Sequence, residues 1–89
     1  MATQRPKGQD IISSLKTLGF SVSSEESNMT ILTMGEHELS IPHGSLTDQS
    51  ETELRRKLNP IFTKHESKIS TSSDKTLQWV RDWLREFSR

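Results

Sequence analysis

The groups in this chain that could carry acid–base chemistry are three histidines, His37, His43 and His65, and twelve carboxylates; there is no cysteine to act as nucleophile or soft metal ligand. An imidazole exchanges protons near neutral pH and can serve as a general acid or base. His37 and His43 stand at the two ends of one alternating apolar stretch, and each is also readable as a surface or loop-capping side chain. With His65 far along the chain, no two of them share metal-ligand spacing, so no zinc site is expected. No Ser-His-Asp order, paired-carboxylate motif, glycine-rich phosphate loop or nucleotide fingerprint occurs. The expectation is therefore no metal, no cofactor and no small-molecule substrate.

Two sets of residues could bind rather than react. Lys7, Lys16, Arg55 and Arg56 could meet phosphates, although Arg55-Arg56-Lys57 also reads as a solvated helical face paired with Glu51 and Glu53. Trp79, Trp83 and Phe87 near the C-terminus are aromatic anchors of the kind that protein interfaces use.

Those residues must be held by a small fold. A chain of 89 residues with 29% hydrophobic residues fits one compact unit plus a tail element. A domain of this size buries only about 60% of its unfolded surface, so nearly every patterned apolar residue is needed inside. Twelve Lys/Arg balance twelve Asp/Glu, which argues against strong non-specific nucleic-acid binding, because phosphate contacts supply most of that affinity. The charge is uneven. Residues 1–49 hold 3 basic and 6 acidic residues, net −3, and residues 50–89 hold 9 and 6, net +3. No apolar run approaches the roughly 18 residues that would cross a membrane. Without cysteine, and with a polar, basic first eight residues, the expected location is cytoplasmic.

Asp10 can cap a helix on which Ile11, Ile12, Leu15 and Leu18 recur at helical spacing, with Gly19 as a left-handed stop. Phe20 and Val22 then alternate with serines as a short strand, and a polar turn at residues 23–28 follows. Residues 29–34 are rich in β-favouring side chains, Gly35-Glu36 makes a tight turn, and residues 37–41 alternate again up to Pro42. Ser50-Glu51-Thr52-Glu53 reads as a capping box for a second helix carrying Leu54, Leu58 and Ile61 and ended by Asn59-Pro60.

The expected domains are thus residues 1–62 for the main unit, residues 63–74 for a polar linker, and residues 75–89 for an amphipathic helix. On that helix Leu77, Val80, Trp83, Leu84 and Phe87 share one face, with Trp79 at its edge. Two uses of the stripe stay open: packing on the sheet or on the first helix, and docking of a protein partner. The fold class is α+β, in the order α-β-β-β-α with a three-stranded antiparallel sheet.

This order resembles the double-stranded-RNA-binding-like fold, and three stretches narrow the comparison. Gly8-Gln9-Asp10-Ile11-Ile12 through Leu18-Gly19-Phe20, then Leu39-Ser40-Ile41-Pro42-His43, then Thr52-Glu53-Leu54-Arg55-Arg56-Lys57-Leu58 resemble the HicA family of messenger-RNA interferase toxins over about residues 8–62. That family cleaves RNA with a histidine in a Gly-Ser-His turn between its first two strands. Here Glu26-Ser27-Asn28 stands in that turn, and no histidine occurs between Gly19 and Glu36. Asn28 cannot exchange a proton near neutral pH, so no catalytic residue is assigned.

The resemblance then implies a non-catalytic HicA-like binding module. Its expected partner is a protein, antitoxin-like by family analogy, met through Trp79, Trp83 and Phe87. RNA is the other expected ligand, met through Lys7, Lys16, Asn28, His43, Arg55 and Arg56. The alternative is a HicA-type ribonuclease in which Asn28 positions the phosphate and His43 or His37 takes over as base.

Overall fold

The computed structural model describes residues 5–86. Its elements run α1 (Gly8–Leu18), β1 (Ser21–Glu25), β2 (Met29–Met34), β3 (His37–Pro42), α2 (Asp48–Lys64), α3 (Glu66–Ser70) and α4 (Lys75–Glu86). The three strands form one antiparallel sheet in the order β1-β2-β3. The α+β architecture is the one that the apolar periodicities demand.

Helix α1 begins earlier than its cap residue suggests. Lys7 occupies the cap position in extended geometry, and Asp10, in the first turn, reaches back to accept the Lys7 backbone N–H at 3.0 Å. An acceptor one turn into a helix satisfies an exposed amide as well as a cap residue does. The early start brings Gly8 against the end of β3: a side-chain carbon there would stand 1.6 Å from the Pro42 carbonyl oxygen, and the Gly8 N–H donates to the Gly44 carbonyl at 2.7 Å. Only glycine permits that approach. At the other end Gly19 takes φ 119°, and its N–H and that of Phe20 close on the Leu15 carbonyl at 3.2 and 2.9 Å.

Helix α2 departs from expectation at both ends. Its cap is Thr47, whose Oγ1 accepts from the Ser50 N–H at 3.1 Å, so the Ser50 to Glu53 box is already inside the helix. Pro60 does not end it. The ring removes one backbone hydrogen bond at a cost of about 3 kcal/mol, but the next turn carries Ile61 and Phe62, both buried in the core. Burying two large side chains offsets a loss of that size.

The stretch expected to be a polar linker is also built in. Residues 63–64 complete α2, and α3 follows with Ile69 at 0% exposure. Lys68 Nζ donates to the Leu18 carbonyl at 3.0 Å, covering the C-terminal end of α1. One aliphatic residue among serines is enough to fix this segment because it enters the common core.

Helix α1 lies against β2 and β3, α4 packs along α1, and α2 and α3 pack on α4. The apolar stripe of α4, Leu77, Val80, Trp83 and Leu84, is buried in this way. Asp74 caps it, its Oδ1 accepting from the N–H groups of Thr76 and Leu77 at 2.9 and 3.2 Å, while its Oδ2 takes the Thr17 hydroxyl at 2.8 Å. One carboxylate therefore joins α4 to α1. Among the described residues no helix is long and apolar enough to cross a membrane.

Candidate functional site

The core covers less of the sheet than the sheet offers. Directly paired residues in an antiparallel ladder share a face, so Val22 opposite Leu32 and Glu25 opposite Thr30 point to the side where α1 lies. Because α1 is seated over β2 and β3, all of β1 stays exposed, and Val22 keeps 40% of its surface in solvent. What remains between α1 and β1 is an open cleft of about 290 Å³.

Gln9, Ile12, Ser13 and Lys16 line it from α1, Val22 and Glu25 from β1, Thr30 from β2, and His43 from just past β3. Four α1 residues at intervals of three and four share one helical face, which is how the helix presents them together. His43 is held twice. Its backbone N–H donates to the Asn28 carbonyl at 2.9 Å, and its Nε2 hydrogen-bonds the Thr30 hydroxyl at 2.7 Å. The register of β2 and β3, with Met29 opposite Pro42, thus carries an imidazole to the edge of the first hairpin turn.

The cleft contains one ammonium, one carboxylate and one imidazole, with hydroxyl and amide groups around an apolar patch of Ile12 and Val22. It can hold a ligand that combines an anionic group, hydrogen-bonding edges and a flat apolar face. Among the described residues no group of three or more His, Cys, Asp or Glu side chains is arranged for a metal ion.

The residues expected to bind nucleic acid do not all meet here. Lys16 and His43 do, with Asn28 beside His43. Lys7 lies apart in a shallow depression with Arg5, Pro6, Ser45 and Leu46. Arg56 is exposed on α2, in a groove with Asp48, Thr52 and Asn59. His37 opens β3 at the opposite end from His43, about 20 Å away for a six-residue strand, so it has no part in the cleft.

Arg55 lies largely inside the fold. It is 8% exposed, with Nη2 at 2.9 Å from Glu51 Oε2 and its guanidinium 4.8 Å from the centre of the Trp83 ring. Burial lowers its pKa from the ordinary value, with the Glu51 charge opposing. The guanidinium is held between Glu51 and the Trp83 ring, at the floor of the same α2 groove that Arg56 lines.

Trp83 lies inside the fold as well. At 1% exposure its ring is interior, and its Nε1–H donates to the same Glu51 Oε2 at 3.3 Å. Trp79 is half-buried, and Phe87 lies outside the described residues. Arg5 completes the cluster, its Nε at 2.8 Å from Glu51 and its Nη2 at 3.0 Å from Asp48. The hydrogen bond to Asp48 is the chief influence raising its pKa above the ordinary value.

Residue type and spacing mark none of Gln9, Ser13, Glu25 and Thr30 as a site residue, and mark Val22 only as part of a strand. A polar stripe at positions 9, 13 and 16 beside the apolar one was visible; the position of β1 relative to α1 was not. No family model, no curated protein and no solved structure matches this chain.

Proposed function

We propose that this chain is a binding module on a HicA-like scaffold, and that it holds RNA in the cleft between α1 and β1 without cutting it. The observation that carries the reading is the convergence of Lys16, His43 and Thr30 on an apolar patch beside the first hairpin turn. A lysine offers a phosphate its charge, hydroxyl and imidazole groups suit a ribose, and Ile12 with Val22 suits the face of a base. Recognition of a protein through α4 has weaker support, since the Trp83 anchor of that reading is interior.

Fluorescence anisotropy with a labelled, unstructured single-stranded RNA tests the proposal. Saturable binding that Lys16→Ala and His43→Ala each weaken, while Arg56→Ala leaves it near wild type, is the expected result. No binding at low salt would end the RNA reading.

The relocated-histidine ribonuclease is favoured by one observation: His43 stands against Asn28 in the turn where the family carries its own histidine. On this reading His43 exchanges the proton, and Glu25 in the same cleft is a second group able to do so. Prolonged incubation of RNA with purified protein separates the two. Intact RNA supports the binding module, and cleavage lost in His43→Ala supports the nuclease.

A further inference from the structure

We infer that the cleft selects guanine, and that the Glu25 carboxylate is the group that reads it. This deepens the RNA-binding reading of the same cleft and rests on it. In the β1–β2 ladder Ser21 pairs with Thr33 and Val22 with Leu32; then, after one extra residue, Ser24 pairs with Ile31 and Glu25 with Thr30. In an unbroken ladder Ser24 would stand opposite Thr30, and Glu25 would face the far side of the sheet. The bulge at Ser23 reverses this. Bulges recur beside functional sites because they re-aim one side chain, and here the side chain turned inward is a carboxylate beside Val22.

A carboxylate in a cleft that holds RNA must face something other than phosphate, since the two anions repel. The donors that remain are the ribose 2′-OH, a single group within an RNA strand, and the base edge, and a base edge is the one that can fill both carboxylate oxygens at once. An ionised carboxylate only accepts hydrogen bonds, through two oxygens side by side. Guanine presents two adjacent donors on its Watson–Crick edge, the N1–H and the N2 amino group. Adenine and cytosine set one amino donor next to an acceptor, and uracil sets one donor between two acceptors. Guanine is therefore the base that a carboxylate can meet with two parallel hydrogen bonds.

The rest of the lining suits the remaining parts of that nucleotide. Val22 offers apolar surface to the ring, Lys16 a charge to a phosphate, and His43, held by the buried Thr30 hydroxyl, a hydrogen bond to a sugar. A volume of about 290 Å³ lies just below the roughly 300–1,000 Å³ typical of ligand clefts, which suits a small ligand or one residue of a strand.

The full chain is titrated with single-stranded RNAs that differ at one central residue, carrying guanosine, inosine, adenosine, cytidine or uridine. Guanosine and adenosine monophosphates are titrated alongside. The guanosine RNA is expected to bind about tenfold more tightly than the adenosine, cytidine and uridine RNAs, the discrimination of one good bidentate contact. Inosine, which lacks the N2 amino group, loses most of that advantage. Glu25→Gln, whose amide offers one acceptor and one donor, abolishes the preference, and its melting curve matches that of wild type. A matching preference for guanosine monophosphate supports the inference with free nucleotide as a source; a preference confined to RNA supports it with RNA as the source. Equal binding of all the RNAs by wild type, or an equal loss for all in Glu25→Gln, overturns guanine selection and leaves the RNA cleft standing. Failure of every RNA and nucleotide to bind overturns both.

Discussion

Glu51 receives the Trp83 indole N–H and ion pairs from Arg55 and Arg5 on one carboxylate oxygen. A buried cation that loses its partner is left uncompensated, which costs about 3–5 kcal/mol. Glu51→Ala is therefore expected to lower the unfolding free energy in urea by that order, and Trp83→Ala by about 3–5 kcal/mol through the cavity it leaves. Both losses should appear as reduced stability, not as lost capture of a partner by an otherwise intact fold. Asp74 gives a pH signature. Hydrogen bonds from the Thr17 hydroxyl first, then from the Leu77 and Thr76 backbone, lower its pKa below the ordinary 3.8. A group whose folded pKa is depressed stabilises the fold above its unfolded pKa, and the benefit disappears as pH falls through the lower folded value. Asp74→Ala should cost about 1 kcal/mol at neutral pH, the value of a helix cap. The difference from wild type should close on acidification below 3.8, as followed by urea midpoints across pH.

At the scale of elements, α2 keeps a helix breaker for the sake of what lies beyond it. Pro60 is exposed, whereas Ile61 and Phe62 are in the core. Replacing it restores a backbone donor and relieves the ring clash, against a small loss from a freer unfolded chain. Pro60→Ala is expected to raise stability by about 2 kcal/mol, measured as an upward shift of the urea midpoint with unchanged slope. An unchanged or lower midpoint would mean that the helix has already adapted to the ring. The β1 bulge is the corresponding irregularity in the sheet. It decides which of Ser24 and Glu25 faces the cleft, so it governs chemistry where Pro60 governs only stability.

For the molecule as a whole, zero net charge sets the character of any RNA binding. Lys16 is the Lys or Arg among the described residues that line the cleft. Single-stranded nucleic acid loses about 0.7 in the logarithmic salt slope per neutralised phosphate. A slope near −0.7 is expected, flattened toward zero by Lys16→Ala, in anisotropy titrations over a range of salt. A slope of several units would place the contacts elsewhere, on α2 around Arg56. The arrangement of helices has a similar consequence. Because α4 packs on α1 and not on β1, the strand face beneath the cleft stays open, and the apolar stripe that could have served a partner serves the core.

Much of this protein was legible in its residues. The periodicity of Ile11, Leu15 and Leu18, the Gly35-Glu36 turn and the alternation of Leu39 and Ile41 are local patterns. They determine the elements, their order and the antiparallel sheet, because the spacing of buried side chains follows directly from backbone geometry. The burial of Trp83 and Arg55, the helical turn around Ile69, the passage of α2 through Pro60 and the meeting of Lys16 with His43 are different in kind. Each depends on which surfaces of distant segments come together, and a stripe of apolar residues carries no mark of the surface that will cover it. The cleft arises from the same source: it is the part of one strand that the helix above leaves uncovered.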